Sequence, residues 1–221
     1  MTKEEFISKM KEDEDWSPGW DIIEREFEKL YPNQKPAHYG TLVTKRAIFG
    51  GEEYLDGYSI YDSPKGYKHL VTFGMTELYA EEEAFGGEWN KWGYEMTMKL
   101  PEKNVEDCVW ALNMLGNLAR YTFETKKFFE PFQYVGRKGE GESICLDRES
   151  KITALFIVPD TEIEGLDTIY GRTDFLQVVG ITQKELEKLI EDRSNAQKLY
   201  DLIKADNPDF ITDLNRTKSY F

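Results

Sequence analysis

Between Tyr94 and Leu100 the chain alternates strictly, with Tyr94, Met96, Met98 and Leu100 on one parity and Glu95, Thr97 and Lys99 on the other. Successive side chains of a strand point to opposite sides of its sheet, so this period of two reads as a strand with one buried face. Partners for it are legible nearby. Tyr54–Tyr61 and Tyr67–Phe73 also read as strands, separated by Asp62-Ser63-Pro64-Lys65-Gly66, which has turn chemistry. Ile152–Val158 is a continuous apolar run of strand length, the pattern of a strand buried on both faces, and Phe175–Ile181 reads as another strand.

Helical spacing takes over elsewhere. Ser17 stands in an N-cap position with Pro18 at the first helical residue; Trp20, Ile23, Phe27 and Leu30 follow on one face, and Pro32 stops the run. A second helix spans about Val105 to Phe123, its stripe formed by Trp110, Ala111, Met114, Leu115, Leu118 and Ala119. Thr182 and Glu185 match a capping box, and Ser194 and Gln197 repeat the spacing before a helix that ends near Pro208. The order is helix, strands, helix, strands, helices. It predicts an α+β fold in which a mixed, mainly antiparallel sheet is packed with helices. Residues 1–15 are mainly polar and read as a loosely held lead-in, with 16–221 as a single domain.

Charge narrows the function classes. Lys and Arg number 28 against 42 Asp and Glu, a formal charge of −14. A nucleic-acid binder needs a cationic footprint, and an anionic membrane surface would repel this chain as well. No apolar run approaches the roughly 20 residues that span a bilayer. Met1-Thr2-Lys3-Glu4-Glu5 has no signal-peptide core behind it, so the sequon Asn215-Arg216-Thr217 is idle. Cys108 and Cys145 form neither a disulfide framework nor a zinc pattern, and reduced thiols in a cytoplasm fit best.

The search for reactive constellations isolates none. His38, His69, Cys108 and Cys145 include no close ligand pair, so no metal or cofactor is expected. Cys108 near a helix start is opposed by Asp107 beside it and reads as a small half-buried thiol. His69 lies inside a strand, where it is either a general base or a core histidine satisfied by its neighbours. Gly139-Glu140-Gly141 and Gly50-Gly51-Glu52 each carry a glutamate that would repel phosphate, and they read as turns. Glu77, Glu88 or Glu95 could pair with another acid for acid–base work, but 42 acids make such pairs common by chance.

Two acidic stretches stand out. Gly74–Asn90 contains Glu77, Glu81, Glu82, Glu83 and Glu88 with no Lys or Arg, and most of it reads as an exposed loop. Asp160, Glu162, Glu164 and Asp167 form the second stretch, again without Lys or Arg between Pro159 and Gly171. Each is either a solvated face or a docking surface for a basic protein, with Tyr79, Trp89 and Trp92 as aromatic anchors.

Five blocks in order carry a resemblance. They are His69-Leu70-Val71-Thr72-Phe73-Gly74-Met75-Thr76-Glu77-Leu78-Tyr79, Gly93-Tyr94-Glu95-Met96-Thr97-Met98-Lys99-Leu100, Leu118-Ala119-Arg120-Tyr121, Thr173-Asp174-Phe175-Leu176-Gln177-Val178-Val179-Gly180, and Ile211-Thr212-Asp213-Leu214-Asn215-Arg216. Together they resemble the suppressor-of-fused domain family, from Trp16 to about Arg216. The resemblance implies a mixed α/β domain that binds proteins and has no established catalytic role. The family's animal member restrains Gli transcription factors, gripping an extended peptide by strand addition with help from a second, C-terminal domain. This chain is similar to the N-terminal domain alone, and Tyr79 matches a peptide-contacting tyrosine. Stand-alone bacterial members look like immunity proteins of polymorphic toxin systems, which implies a basic toxin domain as partner. The blocks also place Asp213 near Arg216 as an ion pair close to the C-terminus.

Overall fold

The computed structural model describes residues 1–40, 54–136, 139 and 141–221. The Gly50-Gly51-Glu52 turn and Glu140 lie outside them. Five helices are described: α1 (Lys3–Glu12), α2 (Pro18–Leu30), α3 (Val109–Thr125), α4 (Gln183–Glu191) and α5 (Asn195–Asp206). Eight strands accompany them: β1 (Ala37–Gly40), β2 (Gly57–Asp62), β3 (Lys68–Phe73), β4 (Trp89–Leu100), β5 (Tyr134–Val135), β6 (Ile152–Pro159), β7 (Leu166–Thr168) and β8 (Gly171–Thr182). They form one mixed sheet in the order β1-β2-β3-β4-β8-β6-β5, with β7 paired to β8. Among the described pairs only β4 and β8 run parallel, so the mainly antiparallel sheet packed with helices is as expected.

Both faces of the sheet are covered. On one, α3 sets Ala111, Leu115 and Ala119 against Leu70, Met96, Met98 and Val178. On the other, Ile23 and Phe27 of α2 meet Val71, Phe73 and Phe175, while Leu186, Leu199 and Ile203 of α4 and α5 meet Ala154, Phe156 and Val179. The two-sided cover changes the reading of β4. Tyr94 to Leu100 is buried throughout, so Glu95, Thr97 and Lys99 face a second packed layer and not water. Polar groups in that position survive only when paired.

Two local expectations give way for similar reasons. Residues 3–12, read as a loose lead-in, form a helix closed by a Thr2–Glu5 capping box. Phe6 has no exposed surface and packs on Trp16, Phe85 and Tyr170, a burial that contributes about 2 kcal/mol. The stretch after Gly74 is not an exposed loop at its start: Met75, Thr76, Glu77 and Leu78 are buried, and exposure begins beyond Ala80. Gly74 itself needs φ +122°, and a Cβ there would sit 2.8 Å from the Asp56 amide nitrogen.

Caps and pairs sort similarly. Thr182 and Glu185 form the expected reciprocal box, whereas Ser17 and Ser194 occupy their N-cap positions without a side-chain capping bond. Gln197 instead donates to Asp201. Arg216 does not pair with Asp213; its guanidinium grips Glu185 at 2.8 and 3.1 Å and also donates to the Gly180 carbonyl. That contact ties the C-terminal segment to the start of α4. Both cysteines are buried and free, and burial with Glu102 and Asp107 nearby pushes the Cys108 thiol up to about 12. Among the described residues, no helix is long and apolar enough to cross a membrane.

Candidate functional site

The second acidic stretch divides into an inner and an outer half. Asp160 and Glu162 turn into the layer between the sheet and α2. Asp160 Oδ2 lies 3.0 Å from His69 Nε2 and accepts from the Thr97 hydroxyl at 2.5 Å, while its Oδ1 is 3.3 Å from Lys99 Nζ. Glu162 Oε2 accepts from Tyr67 at 2.5 Å and lies 3.4 Å from Lys99 Nζ, and Oε1 is 3.0 Å from Lys65 at the rim. Tyr31, capping α2, places its hydroxyl 2.8 Å from His69 Nδ1. Both His69 nitrogens are therefore partnered and its side chain has no exposed surface, the surroundings of a satisfied core residue.

The electrostatics follow from that geometry. Burial alone would raise the Asp160 carboxyl, but His69 and Lys99 beside it hold it well below the usual carboxylate range. Burial likewise opposes ionisation of Glu162, and the bonds from Tyr67 and Lys65 overcome it, bringing that group down to about 2. Burial and the nearby Glu162 push the Tyr31 and Tyr67 hydroxyls up, so both remain protonated donors. A depressed carboxyl stabilises the fold above its unfolded pKa and loses that contribution as pH falls through the folded one. Stability is expected to drop between pH 4.5, the ordinary glutamate value, and about 2, with a shallower slope for Glu162→Gln. Urea midpoints across that window measure it, and identical slopes would remove Glu162 from the acid-sensitive set.

The outer half joins the first acidic stretch. The β7–β8 hairpin tip packs on residues 79–88 through backbone bonds from Gly86 to the Ile169 carbonyl at 2.8 Å and from Arg172 to the Glu88 carbonyl at 2.9 Å. Tyr170 fastens them further, donating to the Tyr79 carbonyl at 2.5 Å and accepting from the Glu81 amide at 3.3 Å. Glu81, Glu83, Glu88, Glu164 and Asp167 are exposed, and Glu82 is half-buried with Lys3 at 3.2 Å. Arg172 sits within this group, 2.8 Å from Asp174 and 4.0 Å from Asp167. Glu83 beside Glu81 pushes its carboxyl up, the signature of anions crowded without enough counter-charge.

An aromatic groove of about 480 Å³ opens at the same end, at the N-terminal ends of β4 and β8. Trp89, Trp92, Tyr94, Phe128 and Leu176 line it, with Asp174 and Glu130 adding carboxylates and Lys91 a cation. Trp89 is 53% exposed and Phe128 49%, which marks both as surface aromatics without a packing role to explain them. The groove exists because β4 swells before it pairs. Trp89 faces Arg172 and Tyr94 faces Asp174, five positions along one strand against two along the other. Lys91 and Gly93 absorb the excess at φ 53° and 81°.

The sequence therefore names Tyr79, Glu81, Glu82, Glu83, Glu88, Trp89, Trp92, Glu164 and Asp167 on one end of the molecule. Tyr79 is half-buried, its hydroxyl donating to Asp56 at 2.9 Å, and does not line the groove. Asp160 is the clear departure: its carboxylate is fully enclosed and holds the loop from within, because three side chains and the Glu162 and Ile163 amides converge on it. Glu162 is mostly enclosed for the same reason. Sequence reading misses Phe128, Arg172 and Asp174. Phe128-Phe129 in the polar run Lys126 to Glu130 is a signal that could have found the first.

Comparison with known proteins agrees with this architecture. The family model for suppressor of fused protein (SUFU) matches residues 51–217. The human suppressor of fused homolog is 28% identical over 220 residues, covering 92% of this chain and 44% of the human protein. The chain thus spans less than half the length of that relative. A solved structure of Drosophila Suppressor of Fused superposes with TM-score 0.76 at 25% identity, over 93% of this chain and 52% of the fly one. The Sufu–Fu complex crystal structure gives 0.77 at 24% identity over 93% of both chains. A SUFU homolog from Neisseria gonorrhoeae gives 0.61 at 15%, over 92% of this chain and 97% of that one. With the family model covering most of the sequence, the chain belongs to the suppressor of fused family.

Proposed function

We propose that the chain is a non-catalytic protein-binding module whose acidic, aromatic end docks on a basic partner. In its most concrete form it is a cytoplasmic bacterial immunity protein that occupies a basic toxin domain. The observation that carries this reading is the convergence of two acidic stretches, distant in sequence, around exposed Trp89 and Phe128. Opposite potentials speed encounter, and desolvated aromatics supply the anchoring energy. A relative solved as a Sufu–Fu complex is in keeping with a binding role for this fold.

The test uses the neighbouring gene's product in inactivated form as the probe. Glu81, Glu82 and Glu83 changed together to Gln should slow association and flatten its salt dependence, because exposed charges act through a screened field. Trp89→Ala should instead weaken the complex by about 2 kcal/mol through faster dissociation. Stopped-flow and surface-binding kinetics separate the two effects. Unchanged kinetics in both variants, with the complex still formed, would place the partner elsewhere.

A second reading has its own observation. The swelling of β4 between Trp89 and Tyr94 leaves its pairing with β8 interrupted, and an extended peptide could add there as a strand. Hydrogen-exchange protection appearing at Arg172–Asp174 on binding would favour this mode; protection confined to residues 81–89 would favour surface docking. A carboxylate-based enzyme is the remaining alternative, and turnover that depends on Glu77, Glu88, Glu95 or His69 beside the Phe73–Tyr79 turn would be its mark.

A further inference from the structure

Phe6 of α1 sits in a seat that is assembled without α1. Trp16, Phe85 and Tyr170 form its walls, with Ala80, Ala84 and Ile169 between them. Tyr170 is fixed by its bonds to Tyr79 and Glu81, and residues 84–87 by the bond from the Gly86 amide to the Ile169 carbonyl. The Trp16 side is fixed where α2 begins, since the Gly19 and Trp20 amides donate to the Leu78 carbonyl at 3.0 and 3.3 Å. None of these bonds involves α1.

The occupant is held far less firmly. Phe6 is the buried residue of α1, with Ile7 and Met10 half-buried beside it. Among the described residues, the hydrogen bonds of α1 close within the helix and its caps. Lys3 reaches Glu82, but both side chains are about half exposed, and such a pair contributes little. A helix of 10 residues is marginal in water on its own, so α1 keeps its shape only while Phe6 is seated.

The charge of α1 is also a poor match for its surroundings. Lys3, Lys9 and Lys11 are offset by Glu4, Glu5 and Glu12, whereas Glu81, Glu82 and Glu83 stand between Ala80 and Ala84 of the seat. Lysine beside the aromatic anchor is already favoured: Lys9 Nζ lies 4.3 Å from the centre of the Trp16 ring. A helix with the same apolar face and lysines in place of the acids would complement this rim better than α1 does.

We propose that a basic amphipathic helix of the partner takes this seat through one aromatic side chain, and that α1 is the strap it displaces. The inference rests on the reading that the acidic end docks a basic partner, and it names the partner's chemistry there. Strap and incoming helix exclude one another, so whatever loosens α1 tightens binding of the incoming helix.

The probe is the blocked peptide of residues 1–13, added to the full chain and followed by NMR at the Trp16 indole and the Phe85 and Tyr170 amides. Phe6→Ala in the chain should free the seat and raise the peptide's affinity about tenfold, because the fraction of open seats scales the apparent constant. Lys3→Glu in the chain, at an exposed site that leaves the core untouched, should raise it by a smaller factor and decides the matter if the Phe6 variant unfolds. Peptide carrying Phe6→Ala should not bind. Peptide carrying Glu4→Lys and Glu12→Lys should bind more tightly at low salt, a margin that shrinks as salt is raised. With the inactivated product of the neighbouring gene, amide exchange in α1 should quicken on binding, and Phe6→Ala should tighten the complex. A peptide that leaves Trp16, Phe85 and Tyr170 unmoved in both chain variants, or binds parent and variants equally, would overturn the proposal. A partner that binds while α1 keeps its protection would overturn it as well and leave acidic docking standing. No binding of the neighbour's product, with the peptide still seated, would instead overturn the docking reading and its partner helix together, keeping α1 as a displaceable strap.

Discussion

Lys99→Ala is expected to destabilise the protein by about 3–5 kcal/mol, the range for breaking a buried ion pair from one side. Lys99 Nζ has no exposed surface and lies 2.6 Å from the Thr161 hydroxyl, 3.3 Å from Asp160 and 3.4 Å from Glu162. Truncation leaves two carboxylates enclosed with the rim residue Lys65 as the remaining cation and the His69 ring as a hydrogen-bonding partner. The Coulomb attraction of the original pair matters less than this residue of uncompensated charge. A double change, Lys99→Ala with Glu162→Gln, keeps the cluster balanced and should recover part of the loss. Urea unfolding of the two singles and the double closes the cycle. Equal losses for Lys99→Ala and the double variant would mean that cavity formation dominates over charge.

That cluster also explains what the sequence could and could not disclose. The alternation of Tyr94 to Leu100 is a local property of the chain, and so are the Thr182–Glu185 box and the apolar run of β6; each sets its own element. Whether Glu95, Thr97 and Lys99 face water depends on α2, which is folded over the sheet from the other end of the domain. No window around residue 97 contains that information. The same holds for the two acidic stretches. Their composition is plain in the sequence, but Asp160 differs from Glu164 only because His69, Thr97 and Lys99 come within bonding distance of one and not the other. Arg216 likewise finds Glu185 across the fold rather than Asp213 beside it. The site's aromatic half was legible from Trp89 and Trp92; Phe128 joins them through the turn after α3, a tertiary placement.

Glu95→Ala and Glu95→Gln are expected to behave very differently, although both remove the same charge. Glu95 Oε1 accepts from the Gly74 amide at 3.1 Å and from the Thr76 amide and hydroxyl at 2.9 and 2.7 Å, while Oε2 takes the Thr72 hydroxyl at 2.6 Å. Alanine orphans two backbone N–H groups in a fully buried place, and two such groups cost about 2–6 kcal/mol. Glutamine keeps its carbonyl for Gly74 and Thr76 and can donate to the Thr72 oxygen. Burial pushes the Glu95 carboxyl up, so its ionised form works against folding as pH rises from the ordinary value of 4.5, opposite in sign to Asp160 and Glu162. The amide carries no such penalty, and Glu95→Gln should unfold within about 1 kcal/mol of the parent at pH 7. Its effect should appear in the stretch that Glu95 holds: exchange at the Gly74 and Thr76 amides stays slow in the Gln variant and becomes fast in the Ala variant. Because this stretch leads directly into Tyr79 and the acidic residues beyond it, the Ala variant should also slow partner association more than its stability loss explains. Fast exchange in the Gln variant would show that the negative charge, and not the acceptor geometry, is what holds the loop.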